Sequence, residues 1–170
     1  MEFLQVFTLK LRNMFIYLQA QNKNIMNETI ITEKQAYDKL VECGLRPSMQ
    51  RIEIMKYLLS HPDHPTVDDI YTGLEAEMPT LSRTTVYNTL RLFAENNAAQ
   101  MITIDEHRVC YDGDTKTHVH FYCTKCGKIE DLYEENVPEL KRKEINGCLI
   151  SNVQLYYKGI CKECREKMNK

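Results

Sequence analysis

The chain has 170 residues, of which 43% are hydrophobic and 27% are charged, and its formal net charge at pH 7 is −2. This composition supports a hydrophobic core, in one domain or in two small ones, and excludes a disordered chain. The slightly acidic balance excludes binding to nucleic acid as a general polycation, so any contact with DNA must come from a local basic patch. No apolar run reaches the roughly 18 residues of a membrane span, which predicts a soluble protein.

Residues 1–26 are apolar but do not resemble a secretion signal. Lys10 and Arg12 interrupt them, and no small-residue cleavage site follows. Met14 and Met26 offer later translation starts. We therefore expect this stretch to lie outside the fold, as a mis-called start or a disordered extension, with an accessory amphipathic helix as the alternative.

Three short helices are predicted next, each beginning at a hydroxyl-bearing cap. Thr32 and Thr66 are followed three residues later by Gln35 and Asp69, which is the pattern of a capping box. Ser48 can cap the helix between them. Apolar residues recur at helical spacing after each cap, so each segment has one face to bury.

A fourth helix and a two-stranded ribbon follow. Ser82 can cap "RTTVYNTLRLFAEN", in which Val86, Leu90 and Phe93 recur at helical spacing. Beyond it, "QMITI" and "RVCYD" alternate like the two strands of a hairpin. This is the element order of a winged helix-turn-helix domain, which we assign to residues 27–112.

The polar face of the fourth helix carries side chains suited to reading DNA. Between Thr80 and Phe93 there are two arginines and no acidic residue. Arg and Asn make bidentate contacts with base edges, and hydroxyls near a helix N-terminus can reach phosphates. An ordinary solvated helix face is the alternative. The candidate DNA-binding residues, with two arginines from the preceding segment, are Arg46, Arg51, Ser82, Arg83, Thr84, Thr85, Tyr87, Asn88 and Arg91.

Residues 113–170 predict a second, β-rich domain. "HVHFYC" and "GKIEDLY" predict paired strands, "NVPELKRKEIN" a helix, "CLISNVQLYYKG" one further strand, and "CKECREKMNK" a short C-terminal helix. The predicted fold class is therefore α+β, a winged helix-turn-helix domain followed by a small α/β domain.

Seven cysteines are present, and four of them form two C-x-x-C pairs with thirty-four residues between the pairs. This pattern favours a metal site over a disulfide framework, and hence a reducing cytoplasm. Four thiolates give the closed tetrahedral site that suits structural zinc, which a β domain of this size needs as a staple. Four buried free thiols are the alternative. The predicted zinc ligands are Cys123, Cys126, Cys161 and Cys164.

The H-x-H pair ahead of the first C-x-x-C raises the question of a second metal ion. In an extended strand, His118 and His120 point to one face, whereas Phe121 and Cys123 point to the other. The two histidines therefore cannot easily share the ion bound by the cysteines, and they are available for a site on the opposite face.

Imidazoles joined by carboxylates suit Fe(II), Mn(II) or Zn(II) at a higher coordination number. Oxygen ligands could come from the end of the hairpin and from the strand after the zinc knuckle, and a third imidazole from the break between helices two and three. Taken singly, these residues could be a turn cap, a loop histidine or an ordinary H-x-H strand. The predicted ligands of this second site are His64, Asp112, His118, His120 and Asp131.

Five segments, in this order, resemble the ferric uptake regulator (Fur) family of bacterial metal-dependent repressors over residues 32–167. They are "GLRPSMQR", "HPTVDDIY", "LSRTTVYNTLRLF", "HVHFYCTKCGKIEDL" and "GICKEC", with modest departures from the family pattern at Ser48 and Met49. The resemblance implies a homodimer whose winged helices bind an inverted repeat in double-stranded operator DNA, and a C-terminal dimerisation domain with structural zinc. It also implies that the second metal site is regulatory: Fe(II) or Mn(II) bound there would close the dimer into a DNA-competent shape and repress transcription.

The resemblance is strongest to the peroxide-sensing branch, because Asp131 stands where iron-sensing members tend to carry Glu. In that branch Fe(II) reacts with hydrogen peroxide, a ligand histidine is oxidised and DNA is released, which implicates His64 and His118. An iron-uptake regulator is an alternative within the family, although "SNVQLYY" lacks a histidine that some iron regulators use. Cys110 leaves a zinc-uptake regulator open, since a thiolate favours Zn(II), unless it is a small buried strand residue.

Two explanations lie outside a sensing role. His and Asp around an ion can activate water in a metallohydrolase, but no H-E-x-x-H or H-x-E base is present, so we expect no enzymatic activity and no small-molecule substrate. A zinc-stapled DNA-binding module without sensing would keep its DNA affinity when the regulatory ligands are replaced. We expect a cytoplasmic location and no membrane partner.

Overall fold

The structure is a computed structural model that describes residues 31–133, 143–150 and 153–168. The predicted extension at residues 1–26 therefore lies outside the described residues. The α+β class is confirmed. The helices are α1 Glu33–Glu42, α2 Met49–Ser60, α3 Val67–Leu74, α4 Arg83–Glu95 and α5 Lys162–Met168.

Each of the first four helices begins at the cap that the sequence predicts. At α1, Thr32 Oγ1 accepts a hydrogen bond from the Gln35 amide at 3.2 Å, and Gln35 Oε1 accepts from the Thr32 amide at 2.7 Å. Thr66 closes an equivalent capping box at α3, and Ser48 and Ser82 cap α2 and α4. These four helices bury one apolar core, whose central residues are Ile54, Met55, Leu58, Ile70, Leu90 and Phe93.

The predicted hairpin follows α4 as β1 Gln100–Ile102 and β2 Cys110–Asp112, paired antiparallel. The loop between α2 and α3 lies against β2. The Tyr111 amide donates to the Pro65 carbonyl at 3.0 Å, and Thr66 forms an isolated β-bridge with Cys110. These contacts bring the loop that carries His64 next to Asp112 at the end of β2.

A three-stranded sheet forms the centre of the second half. In it, β3 Val119–Cys123 pairs antiparallel with β4 Ile129–Leu132 and parallel with β7 Tyr156–Gly159. The register places His120 opposite Asp131. Two predicted ligands from different strands therefore become direct neighbours.

Two sequence predictions differ from the structure between residues 136 and 159. Most of the helix predicted at 136–146 lies outside the described residues, but its end is strand β5 Glu144–Ile145, which pairs with β6 Cys148–Leu149. The single strand predicted at 148–159 is wrong, because β6 and β7 are separate. The reason for the hairpin is Asn146 and Gly147, whose φ angles of 51° and 81° match the tight turn that an Asn-Gly pair favours.

Among the residues that the structure describes, no helix combines the length and the apolar character needed to cross a membrane.

Candidate metal centres

The four predicted zinc ligands form one cluster, in which the sulfur atoms all lie within 4.8 Å of one another. Cys123 ends β3, and Cys126 follows in a turn that closes at Gly127, where φ is +74° and only glycine is unstrained. Cys161 and Cys164 approach from the start of α5.

The cluster has the dimensions and the chemistry of a tetrahedral thiolate site. Zn–S bonds of about 2.3 Å place the sulfur atoms about 3.8 Å apart, and the Cys126 and Cys161 sulfurs are 3.8 Å apart. The Cys161 amide donates to Cys123 Sγ at 3.3 Å and is the main reason that the pKa of this thiol is lowered to about 6. The residues present therefore fit structural zinc.

A second cluster forms on the histidine face of β3. His118 Nε2 lies 3.0 Å from His120 Nε2, 3.1 Å from Asp112 Oδ2 and 3.4 Å from Asp131 Oδ1. The side chain of His118 is fully buried, and those of Asp112 and His120 are nearly so. On the opposite face, Phe121 packs against the zinc cluster. The strand thus separates two sites, as its alternation predicts.

His64 reaches this cluster from the N-terminal half. Its Nε2 atom lies 2.7 Å from Asp131 Oδ1, and its side chain is 1% exposed. Its backbone has φ +59°, which is uncommon for a residue other than glycine and is disfavoured before a proline such as Pro65. Backbone strain of this kind persists where the surroundings fix it, which is often at a functional site.

Electrostatics within the cluster follow from close opposite charges. Close contacts with the carboxylates of Asp112 and then Asp131 raise the pKa of His118 from its ordinary value of 6.5 to about 10. Burial alone would raise the pKa of Asp112, but the close contacts with His118 and His120 outweigh it and lower that pKa to about 2. The pKa of Asp131 is also held well below its usual range, because its contacts with His118 and His64 outweigh burial.

Within the part of the chain that the structure describes, several buried atoms of the cluster have no hydrogen-bond partner. They are His64 Nδ1 and Nε2, Asp112 Oδ2 and Asp131 Oδ1. The 2.7 Å approach of His64 Nε2 to Asp131 Oδ1 is thus a close contact without hydrogen-bond geometry. Since buried polar atoms without a partner cost free energy, converging imidazole and carboxylate atoms of this kind fit a divalent cation.

A cleft borders the cluster at Asp131. An open cleft of about 570 Å³ is lined by Asp63, Arg108, Cys126, Glu130 and Asp131, among others. Asp131 is the most exposed of the five predicted ligands, with 14% of its side chain accessible. A small solute can therefore approach the cluster beside this carboxylate.

The candidate DNA-binding residues lie on α4 and its cap, at the start of α2 and, for Arg46, just before α2, and most of them are exposed. Arg83 is paired with Asp68 at 2.7 Å and stacks on Tyr71, and Arg91 is paired with Glu95 at 3.4 Å. Acidic side chains outside residues 80–93 therefore partly neutralise the positive charge of this helix. Exposed ion pairs contribute little, so phosphates can compete for these arginines.

Sequence reasoning missed two residues beside the histidine and aspartate cluster, Asp114 and Tyr133. The Tyr133 hydroxyl donates to Asp114 Oδ2 at 3.0 Å, and its ring centroid lies 5.3 Å from that of His118. The one feature of the sequence that could have indicated Asp114 is its position between two predicted ligands, Asp112 and His118. Cys110 is buried in an apolar cluster with Ile102, Ile104 and Ile129 and belongs to neither metal cluster among the described residues.

The chain resembles known proteins along most of its length. The model of the family described as "Ferric uptake regulator family" matches residues 42–158. The chain is 37% identical over 138 residues to the peroxide operon regulator of Bacillus subtilis (strain 168), covering 80% of this chain and 95% of that protein. It is 33% identical over 138 residues to the peroxide-responsive repressor PerR of Staphylococcus epidermidis, covering 80% and 92%.

A solved structure agrees with these sequence relationships. The ferric uptake regulator from Francisella tularensis, with iron, superposes with a TM-score of 0.56 at 28% identity, covering 72% of this chain and 96% of that one. The sequence match, the fold and the two clusters lead to one conclusion: the chain belongs to the ferric uptake regulator family.

Proposed function

We propose that this protein is a peroxide-responsive transcriptional repressor, which binds operator DNA as a homodimer when its regulatory site holds Fe(II) or Mn(II). The observation that carries the proposal is the convergence of His64, Asp112, His120 and Asp131, whose ligand atoms all lie within 4.8 Å of one another. His118 joins them through its Nε2 atom, 3.1 Å from Asp112 Oδ2. His64 comes from the helical half, whereas His120 and Asp131 lie in the sheet that follows it and His118 directly precedes β3. An ion held by both halves favours the arrangement in which they meet.

The ligand chemistry supports a regulatory metal distinct from zinc at the cysteines. Nitrogen and oxygen donors suit Fe(II) and Mn(II), whereas the four thiolates select zinc. We assign His64, His118 and His120 as nitrogen ligands. Asp112 and Asp131 complete the set with carboxylate oxygens.

Peroxide is the proposed signal, because both relatives described above bear that function in their names. A resident Fe(II) ion would supply the electrons that reduce hydrogen peroxide. In this chain, the side chains of His64 and His118 are almost fully buried beside the proposed ion and are the expected oxidation targets. The cleft lined by Asp131 would bring peroxide to the edge of this cluster.

DNA contacts are assigned to the exposed face of α4. Asn88 and the two arginines of the helix would contact base edges or phosphates, while Ser82 and Thr85 are engaged in the helix cap. Arg46 and Arg51 would contact the backbone, and the Arg51 guanidinium already donates to the Arg46 carbonyl at 2.7 Å. As a regulator of transcription, the protein would act in the bacterial cytoplasm.

An iron-uptake or zinc-uptake regulator remains the alternative within the family, and a metallohydrolase has no support in the relatives' names. The test is fluorescence anisotropy of a labelled duplex from the gene's own upstream region, using zinc-loaded protein titrated with Mn(II). Binding that requires Mn(II) is expected. Equal affinity with and without Mn(II) would contradict a metal-dependent repressor.

A second titration separates the signals. Protein loaded with Fe(II) under anaerobic conditions should lose DNA binding on addition of hydrogen peroxide, and mass spectrometry should find one added oxygen atom on His64 or His118. Retention of DNA binding with unmodified histidines would favour the iron-uptake alternative.

A further inference from the structure

We infer that Asp114 is a positioning residue for the regulatory site, holding Asp112 and His118 in the geometry that a metal ion requires. The inference rests on the proposed function, because it assumes that the cluster binds a regulatory ion. Asp114 lies between these two ligands on the segment from β2 to β3, where its amide binds Asp112 directly and its carboxylate reaches His118 through Lys116.

The side chain of Asp114 shapes the turn that orients His118. Asp114 Oδ1 accepts a hydrogen bond from the Lys116 amide at 2.8 Å, which is an Asx turn. The turn presents the Lys116 carbonyl 2.8 Å from His118 Nδ1. A histidine that donates from Nδ1 leaves Nε2 free as the metal-binding atom, and Nε2 is the atom that faces the cluster.

The backbone of Asp114 acts on the other ligand. Its amide donates to Asp112 Oδ1 at 2.7 Å, which leaves Asp112 Oδ2 directed at His118 Nε2, 3.1 Å away. The second oxygen of the Asp114 carboxylate accepts from the Tyr133 hydroxyl at 3.0 Å and holds that ring beside His118. One residue thus orients two ligands and the aromatic ring that flanks them.

The same segment is anchored to the helical half. Gln100 Nε2 donates to the Asp114 carbonyl at 2.7 Å, and Lys39 Nζ of α1 donates to the Gly113 carbonyl at 2.6 Å. A Cβ on Gly113 would lie 3.2 Å from the Leu58 carbonyl oxygen, so the backbone packs closely against α2. The backbone from which Asp114 orients the ligands is therefore attached to the half that carries α4, the proposed DNA-binding helix.

The test is the Mn(II) affinity of zinc-loaded, full-length protein, measured by calorimetry. Asp114→Ala removes the turn and should weaken Mn(II) binding by about 10- to 100-fold, the usual effect of losing an outer-layer partner. Asp114→Asn keeps an acceptor for the Lys116 amide and should restore affinity to within about threefold of wild type. The visible absorption of bound Co(II) should change in the Ala variant and not in the Asn variant.

The matched control is Asp105→Ala, because Asp105 Oδ1 makes the same kind of turn in the loop between β1 and β2, where it accepts a hydrogen bond from the His107 amide at 3.0 Å. Its Mn(II) affinity should equal that of wild type. Wild-type affinity and spectrum in Asp114→Ala, or an Asn variant as weak as the Ala variant, would overturn the inference.

Should Asp114→Ala fail to fold, shown by loss of zinc, Tyr133→Phe decides the matter. It removes only the hydroxyl that binds Asp114 and should weaken Mn(II) binding by about two- to fivefold. Unchanged affinity in that variant would overturn the inference. A wild-type protein that binds no Mn(II) at this cluster would instead contradict the proposed function, so the two failures are distinguishable.

Discussion

His64 Nε2 lies 2.7 Å from Asp131 Oδ1, although one residue belongs to the loop between α2 and α3 and the other to strand β4. The contact joins the loop of the helical half to the sheet inside a buried cluster. His64 has a left-handed backbone, which is unfavourable for a residue other than glycine. The surrounding structure, and not local preference, therefore fixes the contact. An ion bound here would hold both halves.

The first prediction concerns this contact. His64→Ala should abolish Mn(II)-dependent DNA binding while leaving the zinc content and the thermal melting profile of the protein near those of wild type. The reason is that the predicted ligand set loses its one member from the loop between α2 and α3, and only Asp112 at the end of β2 is left to connect the ion to the N-terminal half. Anisotropy of the labelled duplex with and without Mn(II) measures the effect.

The matched control is His107→Ala, which removes an exposed histidine from the loop between β1 and β2. Its Mn(II) response should be unchanged. If His64→Ala keeps the full response, the zinc-stapled module without sensing becomes the better explanation.

The second prediction follows from the raised pKa of His118. In the folded protein without regulatory metal this pKa is about 10, against an ordinary value of 6.5. A raised pKa stabilises the fold fully below about pH 6.5, and that stabilisation is lost as the pH rises through about 10. The difference in melting temperature between wild type and His118→Asn should therefore shrink as the pH rises across this range.

The measurement uses zinc-loaded protein from which the regulatory metal has been removed. The variant keeps all seven cysteines, so thiol ionisation cancels in the comparison. A difference that stays constant or grows with pH would show that His118 is not a charged partner of Asp112 and Asp131 in the folded protein.

Much of the fold could be predicted because local rules and tertiary structure agree. Thr32 and Thr66 form the capping boxes that their sequences predict, and the alternation of β3 separates His118 and His120 from the cysteines. The rest depends on contacts distant in sequence. Nothing local to His64 indicates a left-handed backbone.

Two predictions made from short stretches of sequence differ from the structure. The Asn-Gly pair before Cys148 is a strong hairpin signal, and it overrides the helical pattern predicted through residue 146. Arg83 was predicted to be a DNA contact because residues 80–93 contain no acidic residue, but Asp68 of the neighbouring helix α3 pairs with it. Sequence windows cannot show such countercharges, because they arise from packing between helices.

The third prediction concerns the zinc cluster. Cys126→Ser should release zinc and destabilise the C-terminal half, because zinc ligation contributes roughly 10 kcal/mol or more in small zinc-binding peptides. Cys148→Ser is the matched control, since both cysteines are exposed and only Cys126 belongs to the cluster. Zinc content and thermal unfolding measure the effect. Equal zinc content in the two variants would contradict a four-cysteine site.

The last prediction concerns the ion pair between Arg83 and Asp68 at the start of α4. Asp68→Asn frees the guanidinium, and since an exposed ion pair contributes up to about 1 kcal/mol, operator affinity should rise by up to about fivefold. The dependence of affinity on salt should steepen, because one more cation is available to a phosphate. Asp38→Asn on the exposed side of α1 removes the same charge away from Arg83 and is the control for net charge. If both variants bind DNA equally, the gain comes from overall charge, and Arg83 is not a DNA contact. If Asp68→Asn alone binds more tightly and Arg83→Ala binds less tightly, α4 faces the DNA through its N-terminal turn.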